Sequence, residues 1–313
     1  MTNYSVDINK SKTMKAETIL LAAAAAVCLL LSSCTQKLPN HVVFIGVDGW
    51  SVAEFADVDM PFCRSLQQNG SWTFNKRTVI PTSSGINWET ICTGTPPEYH
   101  GFTNWDSITA SFDQLTATGR DTIPTIFRLY RDKHPEANML LTHNWDAIPF
   151  LADSTAFDTV WGNVCTREAE EEEVAFFDKY FKEKKPEVSF IYLGAQDEIG
   201  HDYGWKSDEY RAGMISLDKL VEKIVTTVRE AGLEDDTVFI LTTDHGGWNK
   251  SHGGQFVNDV MKTPFFIFGK GIVKGHEIKA PMSQTCITPI LARLLGVERL
   301  DNWTGAAPEE VFR

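Results

Sequence analysis

Uninterrupted apolar and β-branched runs alternate along this chain with stretches in which apolar residues recur every three or four positions. Val42-Val43-Phe44-Ile45-Gly46-Val47 has no polar residue, the pattern of a strand buried on both faces. Val188 to Leu193, Thr237 to Leu241 and Pro264 to Phe268 repeat it. Between them, Val174, Phe177 and Phe181 fall at helical spacing within residues 167–184. Tyr210, Met214, Leu217, Val221, Ile224 and Val228 mark a second long helix, ended by Gly232. Strands alternating with helices predict an α/β fold, a three-layer sandwich around a mainly parallel sheet. Residues from about 103 to 160 are less regular, carry one helical stretch near 124–131, and predict a small cap over the sheet edge. With no repeat, low-complexity tract or linker, residues 41–313 read as one domain.

The first of those helices opens on Glu168, Glu170, Glu171, Glu172 and Glu173 and closes on Lys182, Lys184 and Lys185. Negative start and positive finish complement the helix dipole, so the acidic run is expected to be a solvated face rather than an ion site.

The N-terminus follows a different pattern. Lys10, Lys12 and Lys15 precede an apolar run from Ile19 to Leu31, shorter than the roughly 18–20 residues that span a bilayer. The run ends in Leu31-Ser32-Ser33-Cys34, which resembles the lipobox of bacterial lipoproteins. Residues 1–33 are therefore expected to be a signal peptide, Cys34 the lipidated residue and 34–40 an anchor segment. That places the protein in a bacterial cell envelope, held to a membrane by its lipid. Cys63, Cys92, Cys165 and Cys286 lack metal-knot spacing, and read either as disulfide partners or as buried thiols.

Charge narrows the function. With 29 Lys and Arg against 42 Asp and Glu, the formal charge is −13, which argues against a nucleic-acid-binding surface. It leaves phosphorylated small molecules open, because bound metal can supply a local positive field. Four segments could hold one: Gly46-Val47-Asp48-Gly49, Pro81-Thr82-Ser83-Ser84-Gly85-Ile86-Asn87-Trp88, Asp197-Glu198-Ile199-Gly200-His201, and Thr243-Asp244-His245-Gly246-Gly247 followed by Ser251-His252-Gly253-Gly254. Three carboxylates and three imidazoles in one domain make sense together when they share cations, since the anions alone repel. Six such ligands and a hydroxyl fit two divalent metals, and the imidazoles favour zinc.

The order of these segments resembles the alkaline phosphatase superfamily, and most of all its nucleotide pyrophosphatase/phosphodiesterase branch. The likeness runs from about residue 41 to 313 and includes Thr263-Pro264-Phe265-Phe266-Ile267-Phe268-Gly269 and a closing Pro289-Ile290-Leu291-Ala292-Arg293-Leu294-Leu295-Gly296. The resemblance implies an alkaline phosphatase-like fold. It implies that Asp48, Asp244 and His245 hold the metal that activates Ser84, which also touches it, and that Asp197, His201 and His252 hold the second. It further implies that Asn87, with backbone at the nucleophile, binds a phosphoryl oxygen. The branch usually has Thr at the nucleophile and Pro two residues on, where this chain has Ser84 and Ile86. His276 is the other candidate for the place given to His252, and reads as an exposed turn.

The resemblance thereby implies a metal-dependent phosphohydrolase working through a phosphoseryl intermediate, of phosphodiesterase or nucleotide pyrophosphatase type. A phosphomonoesterase is the alternative. Sulfatases of this superfamily carry Pro and Arg where Ile86 and Trp88 stand, and lipid-headgroup phosphotransferases usually have several membrane spans. A non-catalytic surface lipoprotein would have lost ligands, and none is lost. No Lys or Arg lies between Gly85 and Gly119, which suits a singly charged diester, although Arg120, Arg128 or Lys206 could fold over the site. Trp50, Trp88, Trp105, Trp145 and Trp205 could stack a nucleobase, with a core role expected for most.

Overall fold

The computed structural model describes residues 38–313 except 106–108, 118 and 255. Cys34 and the expected signal peptide lie outside the described residues. One sheet of eight strands forms the centre: β1 (His41–Val47), β2 (Gly70–Arg77), β3 (Met139–His143), β4 (Thr159–Gly162), β5 (Val188–Leu193), β6 (Thr237–Thr243), β7 (Lys262–Gly269) and β8 (His276–Glu277). Their order is β4-β3-β5-β1-β6-β7-β2-β8, and only β7 runs against the rest. Pro264–Phe268, one of the four apolar runs, is thus the reversed strand.

Both faces of the sheet are covered, which is why its central strands are apolar throughout. Along β1, Val42 and Phe44 point into one core and Val43, Ile45 and Val47 into the other. The longer helices are α1 (Pro61–Asn69), α2 (Ser84–Thr93), α3 (Ile126–Lys133), α4 (Arg167–Lys184), α5 (Ala195–Tyr203), α6 (Asp208–Glu230) and α7 (Ile287–Leu295). Apolar residues of α2, α3 and α7 pack in the first core, and those of α1, α4, α5 and α6 in the second. The three-layer sandwich is as expected.

Two expectations need correction. Inside the stretch read as a cap, β3 and β4 belong to the central sheet and Ile148–Leu151 is a short helix, so the irregular region is narrower, roughly residues 101–125. Five- and four-residue strands give too little pattern to separate from loop. The acidic run on α4 is also not wholly solvated: Glu170 and Glu173 are buried. Their spacing of three places both on the inward stripe. Burial pushes Glu170 up to about 7 and drives Glu173 well above the carboxylate range. Glu170 accepts from the backbone N–H of Ala195 (2.9 Å), at the start of α5, and so braces it.

Register brings the strand ends together. Val47 pairs with Leu193 on one side and Thr243 on the other, so Asp48, Gly194 and Asp244 follow at the same carboxyl edge. In parallel sheets ligands bind beyond that edge.

Candidate functional site

Asp48 and Asp244 leave adjacent strands β1 and β6, and Asp197 follows on the first turn of α5 after β5. Gly49 makes this convergence fit. It has a φ of +67°, and a Cβ there would lie 2.7 Å from Asp197 Oδ1. Ser84 opens α2, with its Oγ 3.0 Å from His245 Nε2 and 3.3 Å from Asp48 Oδ1. His245 Nε2 is 3.2 Å from Asp244 Oδ2 and 3.5 Å from Asp48 Oδ1. His252 Nε2 lies 3.1 Å from His201 Nε2 and 3.8 Å from Asp197 Oδ1, while His201 Nε2 is 3.4 Å from Asp197 Oδ2. His245 stacks on His252 with ring centroids 3.6 Å apart. Asp48, Ser84, Asp197, His201, Asp244, His245 and His252 are thereby brought to one place.

The chemistry of this donor set fits bound cations. Each histidine hydrogen-bonds a backbone carbonyl through Nδ1: His201 that of Lys250 (3.0 Å), His245 that of Gly246 (2.9 Å), His252 that of Thr82 (2.6 Å). A carbonyl only accepts, so Nδ1 carries the proton and each Nε2 offers its lone pair to the centre. Two such lone pairs face each other between His201 and His252, an arrangement that needs a shared cation or proton between them. Asp197 Oδ1 and Asp244 Oδ2 are buried without a hydrogen-bond partner. Ligand atoms of Asp48, Asp244 and His245 lie within 4.8 Å of one another, as do those of Asp197, His245 and His252. His245 therefore stands between the two groups.

Electrostatics agree. Burial, then Asp244 and Asp197, push Asp48 well above the usual carboxylate range, and burial raises Asp244 as well. Burial and the neighbouring His245 hold His252 down to about 3, so it is neutral and free to ligate. Hydrogen bonding to Asp197 raises His201. Converging anions of this kind are relieved by positive charge among them.

Asn87 does not take the expected place. It is fully buried, its Oδ1 accepting from Thr78 Oγ1 (2.5 Å) and Val79 N (2.9 Å), its Nδ2 donating to Pro81 O (3.2 Å) and Ser83 O (3.0 Å). With all its polar atoms engaged, it braces the turn that presents Ser84. The first-turn N–H groups of α2 are the donors left at the nucleophile, since such groups have no partner within the helix.

Several contributors were not read from the sequence. Trp88 Nε1 (2.9 Å) and the Tyr192 hydroxyl (2.6 Å) both donate to Asp48 Oδ2 and fix that carboxylate. Trp88 stands four residues after Ser84 and so shares its helix face, a signal the spacing contained. Lys76, fully buried on β2, donates to Thr243 O (2.8 Å) and to Gln284, whose amide in turn holds the Asp244 carbonyl. Burial lowers its ammonium to about 7. A lone lysine in a polar-looking strand gave no such hint.

The other histidines have structural partners. His41 meets Pro186 O, His100 meets Thr90, His143 meets Trp145 O, His134 stacks on Tyr130, and His276 pairs with Glu310 at 2.8 Å. Cys63, Cys92, Cys165 and Cys286 are free.

A cavity of about 420 Å³ opens onto the cluster. Asp48, Ser84, Asp197, His201 and His252 form its floor, and Trp105, Trp145, Tyr192, Cys165, Gly194 and Glu198 its walls. Among the described residues no Lys or Arg lines it. Arg128 is instead paired with Asp153 and Lys206 with Asp259. Trp50, Trp88 and Trp205 are core residues.

This sheet, and the carboxylates and imidazoles at its edge, define an alkaline phosphatase-like protein. Within that class the chain belongs to the type I phosphodiesterase/nucleotide pyrophosphatase family, whose sequence model matches residues 42–264. Murine ectonucleotide pyrophosphatase/phosphodiesterase 5 shares the fold, with a TM-score of 0.65 at 16% identity over 82% of this chain and 95% of that one. Wild-type alkaline phosphatase PafA does so with a TM-score of 0.68 at 11% identity, over 88% and 99%. GPI ethanolamine phosphate transferase 1 of Candida glabrata is 28% identical over 74% of this chain and 26% of its own length. The mouse bis(5'-adenosyl)-triphosphatase is 25% identical over 66% and 47%. The chain thus spans about a quarter to a half of these two curated relatives. The transferase likeness restores a class that the lack of spans had set aside. Among the described residues no helix is long and apolar enough to cross a membrane.

Proposed function

We propose that this protein is a phosphodiesterase that uses Ser84 as nucleophile and two divalent cations, zinc by the imidazole in each set. Asp48, Asp244 and His245 would hold one beside Ser84, and Asp197, His201 and His252 the other. The observation that carries this reading is the Ser84 hydroxyl, at the N-terminus of α2, facing His245 Nε2 and Asp48 Oδ1 at the mouth of the cavity. When bound, the cations lower the hydroxyl's pKa and offset charge that builds on oxygen in the transition state.

The chain's own groups do the rest. Ser84 Oγ attacks phosphorus, the bond from phosphorus to the leaving oxygen breaks, and the departing alkoxide takes up a proton. Water then cleaves the Oγ–P bond, returns a proton to Ser84 and releases a phosphate monoester. First-turn N–H groups of α2 orient a phosphoryl oxygen. Trp88 and Tyr192 keep Asp48 aimed at the nucleophile.

A monoester dianion needs an additional cationic donor, and the cavity walls supply none, which favours the diester. Ethanolamine phosphate transfer is the second reading, supported by the curated relatives. It differs in the acceptor, an alcohol in place of water. We extend the proposal to location: the pattern from Lys10 to Cys34 supports a lipid-anchored protein of a bacterial envelope.

The test is a panel on the zinc-loaded protein: a nitrophenyl diester of a nucleotide, a nitrophenyl monoester and a sulfate ester, each with and without added alcohol. Higher kcat/KM for the diester is expected. A monoester preference of about tenfold, about 1.4 kcal/mol in the transition state, would reverse the choice, and alcohol esters as the main product would favour transfer.

A further inference from the structure

The cavity wall opposite Ser84 is both aromatic and acidic. Trp145 and Tyr192 lie with ring centroids 6.1 Å apart at an interplanar angle of 32°, and Trp105 lines the same space with most of its surface exposed. Backbone fixes part of this wall, since the Trp145 carbonyl pairs with His143 Nδ1 (3.1 Å), and Tyr192 is anchored on Asp48. Glu198 adds a carboxylate that forms no salt bridge among the described residues, one position beyond Asp197 on α5. Cations near the rim are engaged elsewhere, Lys206 on Asp259 at 3.1 Å and Lys250 on the Asp202 carbonyl at 2.5 Å.

A substrate whose phosphate sits at Ser84 must extend its other arm along this wall. An arm with further phosphates would meet Glu198 and no Lys or Arg. An uncharged alkyl arm would leave Glu198 unused. Aromatic faces beside a carboxylate suit a cation, through attraction to the ring quadrupoles and to the anion together. Resting on the phosphodiesterase reading above, we infer that the cavity selects a phosphodiester whose retained arm ends in an ammonium group, as in an amino-alcohol headgroup.

The test compares zinc-loaded protein on nitrophenyl phosphocholine, on its uncharged dimethylbutyl isostere with carbon in place of nitrogen, and on the nitrophenyl ester of thymidine monophosphate. At least about tenfold higher kcat/KM is expected for the ammonium ester over both others, the size of a partly desolvated cation–aromatic contact. Glu198→Gln and Trp145→Leu should each bring the ammonium-to-isostere ratio to within about threefold, at unchanged zinc content. Tryptophan fluorescence of zinc-loaded Ser84→Ala, titrated with phosphocholine and with dimethylbutyl phosphate, reads the same preference without turnover. Equal rates on ester and isostere, or a preference for the thymidine ester, would overturn the inference and leave the hydrolase reading intact. Selective phosphocholine binding without turnover of any ester would overturn the hydrolase reading alone. Neither turnover nor selective binding would overturn both.

Discussion

Asn87 and Ser84 sit one helical turn apart and do different work. The asparagine's four hydrogen bonds close the turn from Thr78 to Ser83, so its loss leaves buried backbone and hydroxyl groups without partners. Such a loss costs about 1–3 kcal/mol. Asn87→Ala is therefore expected to lower the unfolding free energy by that amount in urea melts. Ser84→Ala should leave stability nearly unchanged, keep both metals in elemental analysis, and lose the covalent intermediate and turnover. An Asn87→Ala protein of native stability with a large kcat loss would return that side chain to the oxygen-binding role expected from the family likeness. Gly49 makes the complementary point. Any Cβ there collides with Asp197, so Gly49→Ala is expected to depress activity more than tenfold while leaving both cores untouched.

On α2 every residue is buried, including Glu89, which burial pushes up to about 8 from an ordinary 4.5. Arg120, Asp121, Arg128, Asp132 and Asp153 line the cavity it faces, and Arg128 is bound to Asp153 at 2.8 Å. A carboxyl that keeps its proton in the fold and loses it when unfolded contributes stability below pH 4.5, and that stability drains away as pH rises toward 8. Glu89→Gln removes the dependence, so relative to the variant the wild type should lose on the order of a few kcal/mol between pH 5 and pH 8. Parallel melting-temperature curves for the two proteins would contradict this. Glu89 also marks the limit of what the sequence makes legible. Strands β1, β5 and β6 are readable because burial on both faces makes them apolar throughout, and the three aspartates follow from their ends. β2 is hidden because Asn75, Lys76 and Arg77 look like loop, yet Lys76 is a buried clamp on the Asp244 segment. Burial of Glu89, Glu170 and Glu173 depends on which helix face meets the sheet, which a run of like charges obscures. His252 was legible by its glycines, whereas Trp145, Tyr192 and Glu198 meet only through the fold.

At the scale of the whole molecule, two attachments are expected to govern behaviour, one to a membrane and one to metal. The proposed anchor is tested by Cys34→Ala, which should move the protein from the detergent-extracted membrane fraction to the soluble one. Recovery of the unaltered protein in the soluble fraction would refute the anchor. The metal has the larger consequence for the fold. Without cations, three buried carboxylates crowd one sheet edge, and Asp197 Oδ1 and Asp244 Oδ2 have no hydrogen-bond partner. A ligand that binds only the folded state at a hundred times its dissociation constant adds about 2.7 kcal/mol. For a domain of this size that is a rise of roughly 5–10 °C, and two cations should at least reach it. The pH dependence has a definite sign. Asp48 and Asp244 are raised in the metal-free fold, so their contribution favours it at low pH and is lost as pH climbs through their elevated values. Zinc competes with those same protons, so its stabilisation grows over the range in which the metal-free protein weakens. Melting curves with zinc and with chelator, taken from pH 5 to pH 8, should diverge as pH rises, and Glu89 cancels because it is common to both. A zinc effect that is absent at pH 8, or that shrinks from pH 5 upward, would remove the metals from the account of this site.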